Sequence, residues 1–143
     1  MQQIRVAIAT DDEKTCITRH FGDAHYYCIY DIDERGSHFI VTLENTVDVE
    51  EQESDHGDPR KASGIGLLLK EHQVNTAVSK VFGPNIKRLL KRYACVLVTD
   101  TSIPLVLDIL LQEQNRIVES IEAGEARTPV DLRKHAEHST SQV

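Results

Sequence analysis

The densest set of reactive side chains lies in one short stretch, Thr10 to His25, which reads TDDEKTCITRHFGDAH. There Cys16, Arg19, His20 and His25 gather a thiol, a guanidinium and two imidazoles. Thiolate and imidazole nitrogen bind soft or borderline metals, a guanidinium can face bridging sulfides, and a glycine such as Gly22 lets a backbone N–H come close to one. An anionic metal-sulfide cluster is a ligand that suits this mixture. His20 is then the first candidate metal ligand and Cys16 the second, with Arg19, Phe21 and Gly22 around them. The structural alternative stands beside it: Phe21 plugs a core, Gly22 makes a turn, and His20 is a hydrogen-bonded structural histidine.

Other residues carry weaker signals. Gly83-Pro84-Asn85 opens a helix whose free N–H groups can hold an anion or a sulfide edge, although helix starting alone explains a Gly-Pro pair. Cys28 and Cys95 fall in apolar runs, where free cysteine packs as a small hydrophobe. Asp11, Asp12 and Asp31 are the carboxylates a magnesium-dependent phosphodiesterase would need, but two-metal chemistry requires them to converge, and no basic groove accompanies them. His135 and His138 lie three apart in a tail with few core anchors and read as bystanders.

These candidates must be positioned by regular elements. Ile4 to Thr10 reads as a strand running into the reactive loop, and Tyr26–Ile32 and His38–Leu43 flank a Gly-containing polar turn as a hairpin. Ile65, Leu68, Leu69 and His72 make the stripe of a helix over about 61–72. Thr76–Val81 is a short β-branched run, and Ile86, Leu89, Leu90 and Tyr93 a second helical stripe. An apolar strand, Cys95–Asp100, and a helix over about Pro104–Gln114 follow. Alternation of this kind demands parallel strands with helices on both faces, with the hairpin added at an edge. Past Asn115 the pattern weakens, and roughly the last fifteen residues are expected to fray.

Composition narrows the function. At 143 residues one domain is expected. The formal net charge of −7 opposes nucleic acid, and the densest basic run, Lys87-Arg88 with Lys91-Arg92, reads as a solvated helix face. No stretch reaches the roughly 20 apolar residues of a spanning helix, so no membrane and a cytoplasmic home are expected. Three cysteines without a CxxC pair argue against a disulfide framework or a tetrahedral zinc site. From Glu44 to Asp58 seven acidic residues and no basic one make a long solvated connection, with a flap over a site or a partner-binding loop as the functional alternatives.

The opening IRVAIATDD, the later HFGDAHYYCIYDID and the segment VFGPNIKRLLKRYACVLV together resemble the dinitrogenase iron-molybdenum cofactor biosynthesis family, including NifX-like proteins and the C-terminal part of NifB-like proteins. The resemblance spans about residues 4 to 114. It implies a ribonuclease H-like three-layer α/β fold with a mixed five-stranded sheet, a single domain over 1–120 and a tail over 121–143. It also implies a non-catalytic carrier or scaffold for an iron-sulfur, molybdenum-iron or molybdenum-copper-sulfur cluster, with His20 at the family's ligand position. Cluster donor and acceptor proteins are the implied partners, and a cluster shared between two chains would make a homodimer. Where many relatives carry a cysteine, this chain has Val74-Asn75-Thr76, so a ligand from that place is missing. A regulatory module of the same fold without a cofactor is the other reading.

Overall fold

The structure, a computed structural model, describes residues 3–45 and 66–133. Most of the acidic connection, the start of the first predicted helix, and His135 and His138 lie outside these residues.

Strand β1, Ile4–Thr10, is the axis of the fold, and every residue in it except Arg5 is buried. It pairs antiparallel with β2, Tyr26–Asp33, and parallel with β4, Thr76–Ser79. β2 turns through Glu34-Arg35 into β3, Gly36–Glu44, the turn being closed by the Asp33 carboxylate accepting from the Arg35 N–H at 2.8 Å. β5, Ala94–Leu97, follows β4 in parallel, and β6, Val130–Asp131, follows β5. The order is β3-β2-β1-β4-β5-β6, so the hairpin-plus-parallel arrangement holds but with six strands among the described residues rather than five. The sixth comes from a region expected to be tail, where Val130 and Leu132 are buried in the core.

Two helical layers cover the sheet. α1 (66–71) and α2, Ile86–Leu90, lie on one face; α3, Ile103–Gln112, and α4, Gln114–Ala123, lie on the other. Pro104 occupies the first turn of α3, where a missing N–H costs nothing. α4 is an addition to the expected elements, and it stops at Gly124, whose φ of +61° suits glycine.

The period-two alternation of β1 sorts the core. Val6 and Ile8 join Val78 and Val96 against Val106, Leu110, Ile117 and Ile121 of the α3–α4 layer. The opposite face presents Ala7, Ala9 and Ala77, and their small side chains leave room for the bulky Phe21, Tyr27 and Phe82. Phe21 and Tyr27 are fully buried, each contributing about 2–3 kcal/mol of transfer free energy. Both Phe21 and Phe82 belong to loops at the carboxyl ends of strands, so this aromatic filling ties those loops to the sheet.

Candidate functional site

β1 sends the chain toward β2 on one side, whereas β4 sends it toward β5 on the other. The carboxyl ends of β1 and β4 therefore flank a switch point, the place where open α/β sheets leave a crevice for ligands. Residues 11–25 and 80–85 border it.

The first of these segments is tightly braced. The Thr10 hydroxyl donates to the Thr15 carbonyl at 2.5 Å and accepts from the Glu13 N–H at 2.9 Å. Asp12 accepts the N–H groups of Lys14 and Thr15 at 2.9 and 2.8 Å, which pulls its carboxyl down to about 2. Further on, the Arg19 guanidinium pairs with Asp11 and donates to the Asp23 carbonyl at 2.9 Å. Partial burial pushes the Asp11 carboxyl up, but the His25 N–H and Arg19 outweigh it and hold the group below its ordinary value. Arg19 thus staples the loop through its own carboxylate, with its side chain still half exposed.

His20 is exposed, and its backbone is fixed. It forms a parallel bridge with Val81, and the Phe21 N–H donates to the Val81 carbonyl at 2.9 Å. Phe21 stacks on Phe82 with ring centroids 5.4 Å apart and lies 5.1 Å from Tyr27, whose hydroxyl donates to the Phe21 carbonyl at 2.9 Å. Phe21 is therefore the core plug that holds His20 in place, and its ring is closed to any ligand. The imidazole rests on Gly83: a Cβ at that position would lie 2.5 Å from the ring Nδ1 and 2.6 Å from Cγ. Gly83 also has φ +75°, so glycine is required there twice, for conformation and for space.

The remaining candidates divide. Gly22 sits in the 3-10 turn Phe21–Asp23, where its carbonyl accepts from the Asn45 amide at 3.2 Å, and its φ is not left-handed. Asn85 closes the 3-10 turn Gly83–Asn85, and its side-chain oxygen accepts from Arg88 at 3.0 Å. Cys16 does not join His20. Its N–H is tied to the Thr101 carbonyl at 2.8 Å and its side chain is buried in the α3–α4 layer, the opposite face from Phe21. Burial pushes that thiol up to about 11, so it is protonated at neutral pH and no ready metal ligand. Cys28 and Cys95 are also buried and free.

The phosphodiesterase carboxylates do not converge. Asp31 pairs with Arg5 at 2.6 Å near the start of β1, while Asp11 and Asp12 lie beyond its end. Among the described residues no three of His, Cys, Asp and Glu gather to hold a metal ion, and no helix is long and apolar enough to cross a membrane.

Sequence reasoning passed over Val81 and Phe82, although a signal was there. Phe-Gly occurs at 21–22 and again at 82–83, and the two copies lie side by side, with His20 paired to Val81 and the two Phe rings stacked.

A sequence profile described as "Dinitrogenase iron-molybdenum cofactor" matches residues 2–112. A crystal structure and an NMR structure of a protein of Methanocaldococcus jannaschii, assigned as a dinitrogenase, are similar to this chain. Each is 22% identical with a TM-score of 0.53, covering 80% of this chain and 93% and 92% of the other. At that identity the likeness is one of fold. No curated protein matches the chain.

Proposed function

The chain belongs to the dinitrogenase iron-molybdenum cofactor family, and from that premise we propose that it carries a metal-sulfur cluster as cargo, with His20 as the metal ligand. The observation that carries this reading is the contact between His20 and Gly83, which fixes an exposed imidazole at the switch point of the sheet.

The donor set fits cargo better than a resident cluster. Resident iron-sulfur clusters are held mainly by several thiolates, and all three thiols of this chain are buried. One imidazole suits a preassembled cluster that brings its own sulfides and offers a single open metal position. Arg19, half exposed but paired with Asp11, is offered as a donor to bridging sulfides, with Gly22, Gly83 and Asn85 in supporting roles. The cluster contains iron and sulfide, or molybdenum with iron or copper. Its partners are the protein that loads it and the one that receives it.

The test is anaerobic incubation of the purified protein with iron and sulfide, or with a thiomolybdate. Visible absorption should appear in the wild type and be lost in His20→Ala, while Cys16→Ala keeps it. Colour that His20→Ala leaves unchanged, or no colour at all, defeats the reading.

A further inference from the structure

Between Glu71 and Asp100 the sequence contains no acidic residue, yet it carries Lys80, Lys87, Arg88, Lys91 and Arg92, in a chain whose net charge is −7. Four of these cations lie on or just past α2. The helix buries Leu89 and half-buries Ile86 and Leu90, leaving Lys87, Arg88 and, just past its end, Lys91 exposed, while Arg92, also exposed, lies against Gly66 of α1. Among the described residues Lys87, Lys91 and Arg92 make no ion pair, and Arg88 meets only the Asn85 amide.

A merely solvated helix face mixes signs and forms i,i+4 pairs of opposite charge. Here the residue four after Lys87 is Lys91, a like charge rather than an opposite one. The helix dipole favours cations at a C-terminal end, which accounts for part of this charge, since α2 is short and Lys87 and Arg88 fall in its last turn. Local stability therefore gives no reason for an arrangement without a single anion.

Its placement does. α2 begins three residues after Gly83, on which His20 rests, so at helical rise Lys91 stands about 12 Å along the chain from Gly83. That is too far for all of them to touch a small cluster and suits the footprint of a protein surface. Val81, bridged to His20 and 39% exposed, adds an apolar contact at the near end.

We infer that the outer face of α2, with Val81, is the docking surface for an acidic protein partner that takes cargo from, or gives it to, His20. This rests on the carrier reading for what is exchanged, but not for the docking itself. Complementary charge at an interface rim mainly raises the encounter rate and orients the partner, as a transient hand-over requires.

The test uses the full chain and a fluorescent deca-glutamate peptide as probe, with binding followed by anisotropy. At low ionic strength the wild type should bind, and about 0.15 M salt should weaken binding severalfold. Lys87→Glu with Lys91→Glu should reduce affinity by at least about tenfold. Lys14→Glu with Arg35→Glu makes the same change of net charge elsewhere and should have an effect below about twofold. Amide shift changes should gather on residues 81–92. Equal losses in the two variants, or tighter binding of a single-stranded RNA decamer through the same residues, would overturn the proposal. Reconstitution of each variant separates the two ideas: colour retained without peptide binding by the wild type removes the docking surface alone, whereas colour insensitive to His20→Ala removes the cargo reading alone.

Discussion

Replacing Gly83 with alanine tests whether its contact with His20 organises the site. Two costs are expected. The backbone cost comes from φ +75°, where an L-residue loses about 1–2 kcal/mol. The steric cost comes from the new Cβ, which would stand 2.5 to 2.8 Å from the imidazole atoms Nδ1, Cγ and Cε1. Cγ is the root of the ring, so a small tilt cannot clear it. The backbone of His20 cannot retreat either, because it is bridged to Val81 and followed by the buried Phe21. The side chain must leave its rotamer, at about 0.5–1.5 kcal/mol.

Urea denaturation of four proteins separates these costs: wild type, Gly83→Ala, His20→Ala and the double variant. In the wild-type background Gly83→Ala should lower stability by about 1.5–3.5 kcal/mol, the sum of the two costs. With His20 already alanine, the ring is gone and only the backbone cost of about 1–2 kcal/mol remains. The coupling energy is then about 1 kcal/mol. Equal destabilisation in both backgrounds would refute the idea that the ring rests on Gly83. On the carrier reading, Gly83→Ala should also weaken reconstituted absorption although His20 is intact, because the ring is re-aimed.

Three further outcomes follow from the packing. Burial pushes the Cys16 thiol from 9.0 up to about 11 and Cys95 up to about 12, so the folded chain keeps protons that the unfolded chain gives up. Stability is whole below pH 9.0 and falls as pH rises toward 11, by about 1.4 kcal/mol per unit for each thiol, and a flat urea midpoint across that window would contradict the burial. Asp31→Asn breaks the two-point contact with Arg5, at 2.6 and 2.9 Å, and should cost about 1–2 kcal/mol. Arg5 holds the Asp31 carboxyl below its ordinary value, so the wild type loses this contribution as pH falls through the carboxylate range, whereas the variant shows no such loss in acid titration. Ending the chain at Ala123 removes β6, the buried Val130 and Leu132, and the Arg127 guanidinium that caps the carbonyls of Leu90, Ser120 and Ile121. A loss of at least about 3 kcal/mol is expected, and a denaturation midpoint equal to that of a chain ending at Arg133 would show that β6 is dispensable.

The legible parts of the fold are those whose pattern repeats over enough residues to be counted. β1 was readable because Ile4, Val6 and Ile8 stand in a β-rich run that ends in Asp11-Asp12, and the hairpin because two β-rich runs flank a polar turn containing Gly36. β6 was not, since two residues have no period, and Val130 is buried only because β5 offers it an edge. α4 was missed because QNRIVESIEA buries only Ile117, Ser120 and Ile121, too few to make a stripe. Spacing pointed to His20 and Cys16 together, and the structure does not bring them together. Four residues apart in an irregular loop sets no common face, and the chain turns Cys16 into one core layer while His20 stays outside on the plug of the other. The partnership of His20 with residues 81–83 spans some sixty residues and is decided by the parallel pairing of β1 with β4.

The same pairing explains how one exposed ligand can be sufficient on the carrier reading. A site with four protein ligands holds a cluster firmly and releases it slowly, which suits a resident cofactor. A single imidazole gives up its cargo when one bond breaks, so its affinity depends on how little freedom the ring must lose on binding. In this fold most of that freedom is already gone: Val81 fixes the backbone of His20, Phe21 anchors the next residue in the core, and Gly83 supplies a floor that no other residue could supply. Pre-organisation of this kind raises affinity without adding ligands and leaves the far side of the cluster open to the protein that will receive it.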